Sequence, residues 1–114
     1  MEFEKYYNEE GQVAVLYSPG FGAGWSTWAG GDEFSSAFLT MDKGLVMLAL
    51  QKARELEVEA YLASKLDDPD NVPYLGGWSD IAIKFVDKGD QFRIHEYDGS
   101  ESVEVYGPSS YMVA

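Results

Sequence analysis

The hydrophobic positions change their spacing three times along the chain, and each change marks a different kind of element. Gln12–Ser18 (QVAVLYS) is rich in β-forming residues and follows the turn-forming run Asn8-Glu9-Glu10-Gly11, which predicts a strand. Phe3–Tyr7 could pair with it as a short hairpin. From Lys43 the apolar residues recur at helical spacing: Leu45, Val46, Leu48, Ala49 and Leu50, then Ala53 and Leu56, then Val58, Tyr61, Leu62 and Leu66. Asp42 is placed to cap this helix, which extends to about Lys65 with a break near Arg54–Glu57. Asp67-Asp68-Pro69 ends it, since proline disfavours helix at the residue before it. After a turn-rich stretch at 71–79 the pattern alternates. Ile81, Ile83 and Phe85 share one strand face, Phe92 and Ile94 a second, Val103 and Val105 a third. Turns at Asp87–Asp90 and Tyr97–Ser100 would join these as a meander, Asp98-Gly99 being a strong hairpin signal. The tail from Gly107 reads as an edge extension or a mobile end.

This order predicts a single α+β domain over residues 1–114. It would hold an antiparallel sheet of about four strands in β-αα-βββ order, with one or two helices packed on one face and the first strand joining the meander. A length of 114 residues suits one domain and leaves no room for a second core.

One segment fits neither period. Ser18–Gly31 (SPGFGAGWSTWAGG) carries five glycines, a proline and two tryptophans, so it must be a loop. Large aromatics are unusual in solvent-facing linkers; Trp25 and Trp28 should fold the loop back onto the domain or onto something bound. Gly20, Gly22 and Gly24 alternate directly after a strand, an arrangement in which backbone amides can approach an anion. The nucleotide fingerprints are nevertheless incomplete: there is no Gly-Lys-Ser/Thr and no glycine spaced to open a helix. A structural turn packed by the two tryptophans is the simpler alternative.

Charge narrows the partners. Asp and Glu number 20 against 8 Lys and Arg, a net charge of −12. Such a field disfavours nucleic acid backbone and anionic membranes, and fits a partner with a basic surface. The same charge also serves simply to keep a small protein in solution. A small anionic ligand remains open, because amides and a few local cations can hold one despite the global field. Cysteine is absent, which removes disulfides, thiolate chemistry and cysteine-based metal sites. The N-terminus lacks a secretory pattern, and the longest apolar run, Leu45–Leu50, is too short to span a bilayer; a cytoplasmic protein is expected.

Candidate chemistry is sparse. Alternation gathers Lys84, Arg93, His95, Tyr97, Glu104 and Tyr106 on the polar side of the sheet. Arg93, His95 and Tyr97 could grip an anionic or aromatic ligand, or form an ordinary solvated face with an Arg93–Glu104 cross-strand pair. The carboxylates at Asp67, Asp68 and Asp70, and at Asp98 and Glu101, lie in turns expected to be wet, where helix termination and turn formation explain them. One histidine and no cysteine argue against zinc, and no Gly-x-Ser-x-Gly elbow exists. No catalytic group, cofactor or metal is therefore expected, and an enzyme is the least favoured reading.

Two stretches, 15–28 (VLYSPGFGAGWSTW) and 92–102 (FRIHEYDGSES), together with Met41-Asp42 and Tyr74-Leu75-Gly76-Gly77, resemble a family of short, mostly uncharacterised proteins encoded by tailed bacteriophages. The resemblance implies a phage accessory protein made in the bacterial host cytoplasm, and supplies a setting rather than a mechanism. Within that setting the leading expectation is a non-enzymatic binding protein that acts on host physiology or defence by capturing a small nucleotide-like ligand. Its site would draw on Ser18, Gly20, Phe21, Gly22, Gly24, Trp25 and Trp28 of the glycine loop, and on Arg93, His95, Tyr97, Asp98 and Ser100, if the two loops meet at one sheet end. The alternatives are an acidic protein–protein inhibitor that imitates nucleic acid, with Glu55, Glu57 and Glu59 on its contact face, and a minor virion or assembly protein, which would be a homo-oligomer.

Overall fold

The computed structural model describes residues 2–29, 33–105 and 112–114. The chain is an α+β domain in which the first strand, β1 (Val13–Tyr17), is the shared wall between two small cores. Its unbroken run of apolar residues suits a strand covered on both faces. Ala14 and Leu16 point into one core, Val13 and Val15 into the other, and all four are fully buried. Tyr7 bridges Val13 across the Asn8–Gly11 turn, so the short N-terminal pairing forms as expected. The Asn8 side chain holds that turn through the Glu10 and Gln12 amides.

Three helices cover the first core: α1 (Ser36–Met41), α2 (Lys43–Leu50) and α3 (Glu55–Ala63). Phe38 and Leu39, Leu45 and Val46, and Val58 and Leu62 supply the buried side chains in turn. Asp42 caps α2 as the sequence predicts, accepting from the Leu45 amide (3.1 Å), and the helical segment does break between Leu50 and Glu55. α1 was not expected; Ser35 caps it by accepting from the Phe38 amide (3.1 Å).

The break between α2 and α3 puts cations where helix ends ordinarily favour other residues. Lys52 closes α2 in the left-handed region (φ 56°), its amide bonded to Ala49 O and that of Ala53 to Leu48 O. Glycine is the usual occupant there, and a side chain costs about 1 kcal/mol. Arg54 is the N-cap of α3 and offers no side-chain acceptor. A serine or aspartate would contribute about 1 kcal/mol at that position, where the helix dipole also disfavours a cation.

Beyond two short 3₁₀ turns (Pro69–Asn71 and Gly76–Asp80) come β2 (Ala82–Val86), β3 (Gln91–Tyr97), β4 (Ser100–Val105) and β5 (Met112–Val113). The single four-stranded sheet is corrected here. β2 pairs antiparallel with β1, Val13 opposite Val86 and Tyr17 opposite Ala82. β3 is flanked by β4 and β5 in a separate sheet. The physical reason lies in Ile81 and Ile83, which pack on the helical core, whereas Val86 and Phe92 enter the second core with Val103 and Ala114. The Asp87–Asp90 link therefore carries the chain from one sheet to the other instead of closing a hairpin. Phe85, assigned to the apolar face, is exposed. The second hairpin is as expected: Asp98 (φ 49°) and Gly99 (φ 85°) form the two-residue turn between the Tyr97–Ser100 pair. The chain end is an edge strand, fixed by the Gly89 amide on Ala114 O (2.8 Å) and the Ala114 amide on Asp90 O (2.9 Å). Gly30, Gly31, Tyr106 and Gly107, which entered the sequence reading, lie outside the described residues.

Candidate functional site

The glycine loop and the Asp98–Gly99 hairpin meet at one end of the molecule, as the sequence reading required. The Gly22 amide donates to Asp98 O (2.8 Å), Ser100 Oγ donates to Pro19 O (2.8 Å), and the Glu101 amide donates to Ser18 O (2.7 Å). Gly99 makes this approach possible. A Cβ there would stand 2.5 Å from the Ala23 nitrogen, and the backbone is already in the left-handed region. On the other side, the Gly76–Asp80 turn packs Gly77 directly against the backbone of Gly24 and Trp25.

What fills the loop is Glu101. Its side chain is 2% exposed, and four donors converge on its carboxylate. The Ser18 amide donates to Oε1 (2.9 Å); the Trp25 amide (2.8 Å), the Thr27 amide (3.1 Å) and Thr27 Oγ1 (2.6 Å) donate to Oε2. Burying a carboxylate costs several kcal/mol unless its lone pairs are satisfied. Here the loop supplies that satisfaction: among the described residues, Glu101's partners are three amides and a hydroxyl, with no cation. The loop does cradle an anion, and the anion belongs to the chain itself. Glu101 is therefore buried and not in the wet turn that the sequence suggests; its phase with Val103 and Val105, which face the second core, is the signal that it points inward.

The candidate residues divide accordingly. Trp25 is 1% exposed, its ring tilted 59° against that of Trp78 (ring centroids 5.4 Å) and its Nε1–H donating to Leu39 O (2.7 Å). This corrects its place among the expected ligand-binding residues: it is a core residue that anchors the loop. Ser18 is also buried, its hydroxyl donating to Ala23 O (3.3 Å). Gly20, against Asp80, and Gly24, against Thr27, Trp28 and Glu101, serve close packing. Trp28 is 38% exposed and leans on Tyr74 (6.4 Å between ring centroids). Phe21, at 77%, and Tyr97, at 68%, project into solvent from the two loops, with Asp98 exposed next to Tyr97.

Arg93 and His95 lie further along the exposed face of β3 that ends at Tyr97. Arg93 pairs with Glu104 directly across the strands (Nε to Oε2, 2.8 Å), and His95 Nδ1 lies 4.0 Å from Glu104 Oε1. Arg93 is roughly 16 Å along β3 from Asp98 at the rise of an extended strand. Lys84 is exposed on β2, in the other sheet.

Asp42 is a second buried carboxylate with a local explanation. Besides capping α2 it accepts from Tyr61 Oη (2.6 Å). Burial, then that hydrogen bond and the Asp42 charge, hold the Tyr61 pKa well above that of a free phenol. Among the described residues no group of three or more acids and histidines could hold a metal ion, and no helix is long and apolar enough to cross a membrane.

No family model, curated protein or solved structure matches the chain.

Proposed function

We propose that the chain is a non-enzymatic binding protein whose contact surface is the outer rim of the paired loops, and that its partner is a protein with a basic surface. The reading rests on the division of labour just described. Glu101 occupies the amides that would otherwise serve a small anion, so a ligand in the loop would have to displace a buried carboxylate. The same network fixes the backbone that carries Phe21 and Tyr97. Two large aromatics held out into solvent on a stiffened backbone lose little conformational freedom on binding, and aromatics are enriched at interface anchors. The charge of −12 adds long-range attraction toward a basic partner and disfavours nucleic acid itself. In the setting the resemblance implies, the partner is a bacterial host protein, and the action is inhibition of host physiology or defence.

The test is affinity capture from bacterial lysate at increasing salt, comparing the parent with a Phe21→Ser/Tyr97→Ser variant. Both positions are exposed, so folding should change by only about 0.5 kcal/mol each. A basic protein captured by the parent in a salt-sensitive way, and lost from the variant, supports the proposal. Equal capture by both removes the loop rim from consideration. Charge reversal at the exposed Glu55, Glu57 and Glu59 of α3 separates the rim from a general acidic face.

A further inference from the structure

A cavity of about 570 Å³ opens where α2 breaks into α3, away from the paired loops. Ala49, Trp78 and Ile81 form its apolar wall, and Lys52, Arg54 and Glu55 supply its charge. Two cations against one acid make the lining locally positive in a chain of net charge −12. Among the described residues neither Lys52 nor Arg54 has an ion-pair partner, although acids outnumber bases 20 to 8. Each also stands where the backbone favours something else: Lys52 in a left-handed position suited to glycine, Arg54 at an N-cap suited to serine or aspartate. Two departures from local preference that face the same cavity are better explained by a ligand than by the fold. The volume falls within the usual range for small-molecule sites.

We propose that this cavity at the α2–α3 junction binds a small phosphate monoester, its phosphate held between Lys52 and Arg54 and its body against Ala49, Trp78 and Ile81. Arg54 offers a forked donor and Lys52 a point charge, the usual pairing for a phosphate group. The first residue of α3 borders the same space, so the positive end of that helix adds to the attraction. The site shares no lining residue with the loop rim.

The experiment is an amide and indole NMR titration of the intact chain with adenosine 5′-monophosphate, with adenosine as the control. Trp78 Nε1–H donates to Ala53 O (2.8 Å) at the cavity edge and gives an isolated reporter signal. Saturable shifts at Lys52, Arg54, Glu55 and the Trp78 indole with the monophosphate, and none with adenosine, are expected. Lys52→Gly and Arg54→Ser should each weaken binding by about tenfold or more. Both variants restore the residue that the helix ends favour, so their thermal midpoints should equal or exceed the parent's and loss of folding cannot mimic loss of binding. Absence of saturation at millimolar monophosphate, equal shifts with adenosine, or undiminished affinity in both variants overturns the proposal. Unchanged binding in Phe21→Ser/Tyr97→Ser is expected whatever becomes of the loop rim.

Discussion

Replacing Glu101 by glutamine alters one atom and tests the organisation of the whole loop end. In the parent, Oε2 accepts from three donors and Oε1 from one. The glutamine oxygen will take the three-donor position, which leaves its NH₂ group facing the Ser18 amide. A buried N–H without an acceptor costs about 1–3 kcal/mol, and the bonds that survive weaken because the oxygen is no longer charged. Together these give a loss of roughly 2–4 kcal/mol, a large share of the 5–15 kcal/mol typical of a domain. At about 4 °C per kcal/mol the thermal midpoint falls by roughly 8–16 °C. Glu101→Ala strands all four donors and should fall further. Thermal unfolding followed by circular dichroism gives the ordering, and the Trp25 and Thr27 amide shifts report the loss of a charged acceptor. A glutamine variant within about 2 °C of the parent, with those two amides unmoved, refutes the claim that this carboxylate organises the loop.

Other perturbations probe separate parts of the same account. Gly99→Ala forces a side chain into a left-handed turn and against Ala23, and should cost about 2–4 kcal/mol by urea unfolding. Trp25→Ala should cost about 3–5 kcal/mol, whereas Phe21→Ala, a few residues away, should stay within about 0.5 kcal/mol; similar losses at both would mean that the loop is not divided into an anchored and a presented side. Tyr61 titrates higher in the fold than in the unfolded chain, so its contribution is complete below the unfolded value of about 10 and is lost as pH rises from there toward the folded value. Tyr61→Phe should therefore be less stable near neutrality, by about 1 kcal/mol for the lost bond to Asp42, yet decline less steeply in alkaline urea titrations.

Much of this architecture is legible in the sequence where local chemistry decides it. Asp42 caps α2 because a short acceptor precedes a helical repeat, and Asp98-Gly99 turns because both positions need positive φ. Strand partnership is not local. Ile81, Ile83, Phe92 and Ile94 alternate alike, and nothing in that alternation states that the first two face helices while Phe92 faces a different core. The short α1 escapes notice because six residues beside a glycine-rich loop give too little periodicity to recognise. The loop itself is half legible. Its glycines announce a backbone open to an anion, but the amides that bind one belong to Ser18, Trp25 and Thr27, and the anion lies far along the chain, in a residue type that ordinarily sits in water. Only the alternation of Glu101 with Val103 and Val105 hints otherwise.

The position of β1 has a consequence for how the protein is made. It precedes all three helices in chain order, yet its hydrogen-bonding partner β2 and the Glu101 that orders the following loop are synthesised only after them. Until then the Val13 and Val15 face lacks the Val86, Phe92 and Val103 that cover it, and long-range closure of this kind slows folding and favours self-association. The stretch from β2 to Glu101 is thus the keystone, and a nascent fragment ending before β2 should need a chaperone to remain dispersed.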